Sequence, residues 1–170
     1  IDQFLQSRTN QRTDAYGGPL ENRARLLLEV TDALIGVWGA GRVGVHLAPR
    51  GDSHDMGDDN PAETFGYVAR ELGKREIAFI FTREYAGEDS LTPQLKQQFG
   101  GALIANERFT KEQGNAWLAE GKADAIGFGV PFIANPDLVK RLEQDAPLNE
   151  PRFETFYGSS PEGYIDYPTL

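Results

Sequence analysis

Short apolar runs alternate along this chain with segments whose apolar residues recur at helical spacing. The apolar runs lie at 42–49, 77–81, 102–105 and 123–128, and helices are predicted over 21–38, 63–75, 91–99 and 110–121, the last of them capped by Thr110. Strands that alternate with helices are typical of β/α repeats around a parallel sheet. Four such units make either half of an eight-stranded barrel or a small open sheet. A dinucleotide-binding fold is disfavoured, because no G-x-G-x-x-G motif follows the first predicted strand.

The stretch 123–138 carries the clearest local signal. Its residues are typical of a buried strand, a glycine turn and the start of a helix. Gly127 and Gly129 lack a Cβ, so a ligand could approach the backbone there. Asn135 is predicted to cap the next helix, with Pro136 at its first position. A phosphate site and a tightly packed β–α turn fit this pattern equally well.

Composition makes several classes of function improbable. The formal net charge is −9 at pH 7 and no basic run is present, so nucleic acid and anionic membranes are poor partners. The chain has no cysteine, which excludes disulfides and thiolate metal sites. No apolar run is long enough to cross a bilayer and no signal peptide is visible, so a cytoplasmic protein is expected. Ile1 lies inside an apparently helical run, which suggests a piece of a longer protein.

His46 lies near the end of the first predicted strand, where the sites of parallel barrels gather. Strand alternation places Val43, Val45 and Leu47 on the opposite face, which is expected to pack against helices. A histidine inside a strand costs desolvation free energy unless it is paired. A ligand contact is favoured, while a core histidine bonded to a neighbouring carbonyl remains the alternative.

Two further residues with possible chemistry lie in predicted loops. His54 belongs to the acidic segment 50–59, whose spacing fits neither a calcium loop nor a zinc-binding helix, so no metal is predicted. A long loop beside a barrel mouth often borders substrate, and a solvated acidic loop is the plainer interpretation. Arg108 follows the third strand and could meet a phosphate, although a surface salt bridge is the more usual role for such a residue.

The polar segment 7–19 is rich in turn-forming residues. Its Arg12, Asp14 and Tyr16 could form a fixed, hydrogen-bonded knot. A flexible surface loop is the alternative at this point.

Three segments carry a resemblance to a known family. The first, at 10–23, contains Asn-Gln-Arg-Thr-Asp-Ala-Tyr-Gly-Gly and Glu-Asn-Arg. The second, at 132–138, is Phe-Ile-Ala-Asn-Pro-Asp-Leu, and the third, at 163–168, is Gly-Tyr-Ile-Asp-Tyr-Pro. The whole chain resembles the Old Yellow Enzyme family, and most of all its xenobiotic reductase branch. The resemblance implies an eight-stranded β/α (TIM) barrel with FMN at the mouth formed by the carboxyl ends of the strands. It also implies an NADPH- or NADH-dependent oxidoreductase that reduces activated alkenes, nitroaromatics or nitrate esters.

By this resemblance, residues 1–170 form the C-terminal half of a single FMN-binding barrel domain, with a tail over the barrel mouth. No catalytic residue is then expected in this chain, because the family's substrate-binding pair and tyrosine proton donor precede the position of Ile1. The implied partner is the first half of the barrel or a second copy of this chain, and the implied substrate is a small molecule. The rival expectation is a non-catalytic assembly fragment that binds flavin weakly or not at all.

The resemblance also assigns residues to sites. His46 stands where the family usually has an arginine beside the flavin pyrimidine, and His54 and Tyr164 are placed at the substrate pocket. The flavin phosphate is assigned to two turns, made of Asn106, Glu107 and Arg108 and of Gly127, Phe128, Gly129 and Val130. Since the family usually has Gly-Arg where Gly129 and Val130 stand, Arg108 is expected to supply the missing positive charge.

Overall fold

The computed structural model describes residues 1–170, which form two compact units, Ile1–Ile126 and Gly127–Leu170. The helices are α1 (Asp2–Leu5), α2 (Leu20–Trp38), α3 (Pro61–Lys74), α4 (Thr92–Phe99), α5 (Lys111–Ala119), α6 (Val130–Ala134) and α7 (Leu138–Glu143). The strands are β1 (Gly44–Leu47), β2 (Phe79–Arg83), β3 (Ala102–Asn106) and β4 (Ala125–Gly127). Short 3₁₀ turns lie at Ala40–Arg42, Ser53–Asp55 and Phe153–Thr155. No helix has both the length and the apolar character needed to cross a membrane.

The strands form one sheet in chain order, β1-β2-β3-β4. β1 and β2 run parallel with His46 opposite Phe81, and β2 and β3 run parallel with Phe81 opposite Ile104. The predicted parallel β/α sheet is therefore confirmed. The strand predicted at 77–81 lies two residues before β2, because the polar Thr82 was assigned to the following loop. Thr82 is fully buried, and its hydroxyl oxygen lies 2.9 Å from that of Thr92 in α4, within hydrogen-bond distance.

Alternation of side chains gives the sheet two unlike faces. One face is buried beneath the helices, with exposures of at most 3% for Leu47, Ile80, Thr82, Leu103 and Ala105. The opposite face is exposed or half-buried at Gly44, His46, Phe79, Phe81 and Ile104. The sheet of the first unit is thus packed on one side only, and aromatic and aliphatic side chains line its open side.

Local sequence explains where the helices begin and how closely they pack. Thr110 caps α5 through a reciprocal capping box with Gln113, as the sequence predicted. Asn60 caps α3 by accepting a hydrogen bond from the backbone of Glu63. α3 approaches α4 closely at Gly73, where a Cβ would lie 2.3 Å from the carbonyl oxygen of Phe99.

The prediction that Asn135 caps the next helix, with Pro136 at its first position, was wrong. Asn135 ends α6 in an extended conformation, and α7 begins only after Asp137. Pro136 explains the break, because its ring disfavours a helical backbone at the residue before it. The Asn135 side chain donates to the carbonyl of Pro131 (2.8 Å) and accepts from the backbone of Asn149 (2.7 Å), so it connects α6 to the following tail.

Candidate functional site

The open face of the first unit carries His46 near the carboxyl end of β1. Its imidazole packs edge-on against the ring of Phe81, with ring centroids 4.8 Å apart. The side chain is exposed, so the structure does not place it in a packed core. Desolvation and the positive charge of Arg83 lower the pKa of His46, and the carboxylate of Asp2 opposes this effect. The imidazole is therefore neutral at pH 7, with one nitrogen able to donate a hydrogen bond.

The turn after β3 has an unusual backbone. Glu107 (φ 100°) and Arg108 (φ 57°) both lie in the left-handed region that non-glycine residues rarely adopt. The carboxylate of Glu107 lies 3.5 Å from Arg83, so its side chain is already engaged in an ion pair. Arg108 is exposed and makes no ion pair within the chain, unlike the surface salt bridge that was the alternative. A free guanidinium at the carboxyl edge of a parallel sheet is suited to bind an anion.

The second unit holds the other predicted phosphate turn. Gly127 ends β4, Phe128 follows it, Gly129 is the N-cap of α6, and Val130 is the first residue of that helix. A Cβ added to Gly129 would meet no atom within 4 Å, so packing within this chain does not require glycine there. Val130 is 38% exposed and brings no charge to the turn. The use of these four residues in cofactor binding stays a prediction.

The two predicted substrate residues lie in different units. In the first unit, His54 and Asp55 have φ angles of 58° and 60° in the 3₁₀ turn after β1. They line a cavity of about 480 Å³ together with Gln3, Phe4, Arg8, Thr9, Asn10 and Arg12. In the second unit, Tyr164 is 65% exposed. Their part in substrate binding stays a prediction.

The signature segment at 10–18 is a hydrogen-bonded knot, which confirms that interpretation over a flexible loop. Arg12 pairs with Asp14 through two nitrogens, and Asp14 accepts from the backbone of Tyr16 (3.1 Å). The amide of Asn10 donates to the carbonyl oxygens of Phe4 and Tyr16, the latter at 2.7 Å. These contacts hold the backbone of the segment 10–18 in place. They assign no chemical role to its side chains.

Sequence reasoning missed two ion pairs that hold the loops of the first unit. Arg23 lies 3.6 Å from the buried carboxylate of Asp58, and Arg50 donates to the buried carboxylate of Glu84 at 2.9 Å. Glu84 directly follows an apolar strand, and Arg50 follows the first strand closely in sequence. The sequence could have predicted the Arg50–Glu84 pair, because residues of opposite charge follow two neighbouring parallel strands, and such strands end at the same edge of the sheet.

Comparison with known proteins places this geometry in a family. The model of the NADH:flavin oxidoreductase / NADH oxidase family matches residues 1–149. The chain is 41% identical to 12-oxophytodienoate reductase 2 of Arabidopsis thaliana, matching over all of this chain and 48% of that protein. It is 40% identical to a probable flavin mononucleotide-dependent alkene reductase of Leishmania infantum, over all of this chain and 47% of that one. The chain thus spans about half the length of the curated relatives it matches.

Solved structures agree with this match. Morphinone reductase superposes with a TM-score of 0.93 at 43% identity, over 99% of this chain and 47% of that one. The Old Yellow Enzyme homologue of Zymomonas mobilis superposes with a TM-score of 0.95 at 41% identity, over 99% of this chain and 50% of that one. The fold class is accordingly half of a (β/α)8 barrel, and the Old Yellow Enzyme resemblance is confirmed. The chain belongs to the NADH:flavin oxidoreductase / NADH oxidase family.

Proposed function

We propose that this chain is the C-terminal half of an FMN-dependent NADPH or NADH oxidoreductase. The proposed reaction is reduction of a small activated alkene, nitroaromatic or nitrate ester. The observation that carries the proposal is the family match over residues 1–149, joined with free donors on His46 and Arg108 at the carboxyl edge of the sheet. "Complete enzyme" here means this chain together with the first half of the barrel, in one polypeptide or two.

The residues present fit a flavin mononucleotide in two respects. Arg108 is an exposed, unpaired cation suited to the phosphate, and the space around Gly129 is open. His46 is assigned to the pyrimidine end of the flavin ring, where a hydrogen-bond donor stabilises negative charge. When bound, FMN supplies hydride transfer between the nicotinamide and the substrate. This chain's residues would bind the phosphate, contact the ring and form one wall of the substrate pocket.

The residues that bind and protonate substrate are proposed to lie in the first half of the barrel. That half is the proposed partner, and a second copy of this chain is the alternative occupant of the open face. The two compact units would then belong to a single FMN-binding domain. The cytoplasmic location expected from composition stays a prediction.

One observation favours a second candidate function. Val130 is apolar where the family usually has an arginine, so the phosphate turn of the second unit lacks that charge. This substitution favours a half-barrel that assembles with a partner but binds flavin weakly or not at all.

The absorbance spectrum separates the two candidates. The chain is purified with whatever polypeptide accompanies it, the spectrum is recorded, and NADPH is then added without oxygen. Flavin absorbance that bleaches on addition supports the reductase. A colourless preparation that still does not bind added FMN supports the assembly module. Identification of a co-purified first half would establish the partner.

A further inference from the structure

A cluster of charged side chains joins the segment after β1 to the segment after β2, next to the end of β3. The proposed function does not use this cluster. Arg50 closely follows β1 and Glu84 directly follows β2. The backbone N–H of Glu84 donates to the carbonyl of Asn106, the last residue of β3 (3.1 Å). All three strands end at the same edge of the sheet, which is the edge where barrel enzymes build their sites.

Glu84 is the centre of the cluster, and its side chain is fully buried. One carboxylate oxygen accepts from Nε of Arg50 (2.9 Å). The other accepts from the hydroxyl of Ser90 (2.5 Å) and from the hydroxyl and backbone N–H of Thr92 (2.6 and 2.5 Å). The carboxylate therefore connects the two ends of the segment 84–92.

Arg50 contacts the segment 84–92 in three ways. Its Nη2 donates to the carbonyl of Tyr85 (2.5 Å), and its guanidinium carbon lies 4.3 Å from the centroid of the Tyr85 ring. Its Nη1 lies 2.5 Å from the carboxylate of Asp89. A planar guanidinium can donate in a fork and stack on a ring at once, which an ammonium group cannot do. Arg50 thus fixes both the backbone and the ring of Tyr85.

Tyr85 is half exposed despite these contacts. The hydrogen bond from Glu84 to Asn106 continues the β2–β3 ladder, so strand alternation directs Tyr85 towards the open face that carries Phe81 and Arg83. Arg50 covers one face of the ring, and the residue as a whole stays 50% exposed. We propose that Arg50 is a positioning residue that holds Tyr85 as an aromatic wall of the substrate pocket, where it favours substrates with a flat apolar ring. This inference rests on the proposed function.

The test uses the complete enzyme and two activated alkenes, cinnamaldehyde with its phenyl ring and the smaller 2-cyclohexenone. Arg50→Lys and Tyr85→Ala should raise KM for cinnamaldehyde roughly tenfold, the lower end of what an apolar pocket contact discriminates. KM for 2-cyclohexenone should change less. Tyr85→Phe keeps the ring and should resemble the wild type. An equal rise in KM for both alkenes, or equal effects of Phe and Ala at position 85, would overturn the substrate role.

Arg75→Lys is the matched control, because Arg75 also forks onto a carboxylate, that of Asp32 (2.7 and 3.0 Å), but at the end of α3. Hydrogen exchange of residues 84–92 gives a readout that does not depend on activity. Arg50→Lys should speed exchange there, and Arg75→Lys should not. Unchanged exchange in Arg50→Lys would overturn the positioning role. A complete enzyme that binds no flavin would overturn the proposed function and the substrate role, while the exchange measurement would still decide whether Arg50 orders the segment.

Discussion

The imidazole of His46 meets the ring of Phe81 edge-on, with 4.8 Å between ring centroids, on the open face of the sheet. The two residues are direct partners in the β1–β2 register. Phe81 therefore fixes where the imidazole stands, and desolvation with the charge of Arg83 lowers its pKa. A neutral, oriented imidazole at a strand end can donate one hydrogen bond and can take up a proton when negative charge forms nearby.

The first prediction concerns the flavin reduction potential of the complete enzyme. If His46 contacts the pyrimidine end of the flavin, the anionic reduced ring raises the pKa of His46, so reduction takes up a proton there. Between the pKa values that His46 has in the oxidised and the reduced enzyme, the flavin reduction potential should therefore fall with rising pH. This fall should be steeper than protonation of the flavin alone requires. His46→Arg should remove this extra dependence and leave the protein yellow.

The control for this measurement is His54→Gln, which replaces the other of the chain's two histidines, in an exposed turn, without adding a charge. That variant should keep the potential and its pH profile. Spectroelectrochemical titration from pH 5 to 8 measures both quantities. A wild-type pH profile in His46→Leu would place the side chain away from the flavin.

The second prediction concerns flavin affinity. Arg108→Ala should weaken FMN binding by about 1–3 kcal/mol, the contribution of a hydrogen bond to a charged group. Val130→Arg should strengthen it, because it restores a positive charge to the turn before α6. Arg42→Ala is the control, since Arg42 is also exposed but precedes β1 at the opposite strand end. Fluorescence titration of FMN into the apoprotein measures the affinities of the wild type and the three variants, and equal binding by Arg108→Ala and wild type would make Arg108 a surface charge only.

The third prediction concerns stability. Asp58 accepts from the backbone of Ser7 and from the hydroxyl of Thr64 (both 2.9 Å) and faces Arg23, with its side chain 1% exposed. Asp58→Ala should cost about 3–5 kcal/mol, because it leaves the Arg23 charge without its buried partner. Asp32→Ala removes an ion pair in which the aspartate is 54% exposed and should cost about 1 kcal/mol or less. Urea unfolding of the complete enzyme compares the two, and similar losses would show that Asp58 acts as a surface charge.

Sequence patterns predicted the parts of this fold that depend on neighbouring residues. The cap at Thr110 could be predicted because a capping side chain is adjacent in sequence to the helix that it begins, and the structure adds its partner Gln113. The order and direction of the strands were found because each β/α unit carries its own periodicity. Thr82 was missed as a strand residue because its hydroxyl is satisfied by Thr92, on a helix that the strand pattern does not describe.

For the same reason, only part of the candidate site could be predicted from the sequence. His46 and Arg108 could be named because each follows from a position along one strand. The cluster around Glu84 was missed, because Arg50, Ser90 and Thr92 reach it from separate segments. Charges that meet only in the folded chain leave no periodic signal in the sequence.

The fourth prediction concerns substrate preference. His54→Ala and Tyr164→Ala should each change the ratio of kcat/KM between two activated alkenes while flavin content stays the same. Tyr157→Ala is the control, because Tyr157 is a fully exposed tyrosine of the same unit as Tyr164. The ratio is measured by NADPH oxidation with each alkene. Loss of flavin in both variants would contradict the assignment to the substrate pocket.

The last prediction concerns the state of the isolated chain in solution. Phe79 and Phe81 lie on the uncovered sheet face, and α2 exposes a stripe of Leu34 (43%), Val37 (72%) and Trp38 (60%). Unpaired strand edges beside such apolar surface favour association, so the chain alone should form dimers or larger species at micromolar concentration. Trp38→Glu should reduce this association, whereas Ile165→Glu should not, because Ile165 is 82% exposed but belongs to the second unit. Light scattering after size exclusion measures the mass of each variant. A monodisperse wild-type monomer that unfolds cooperatively would mean that the open face needs no partner.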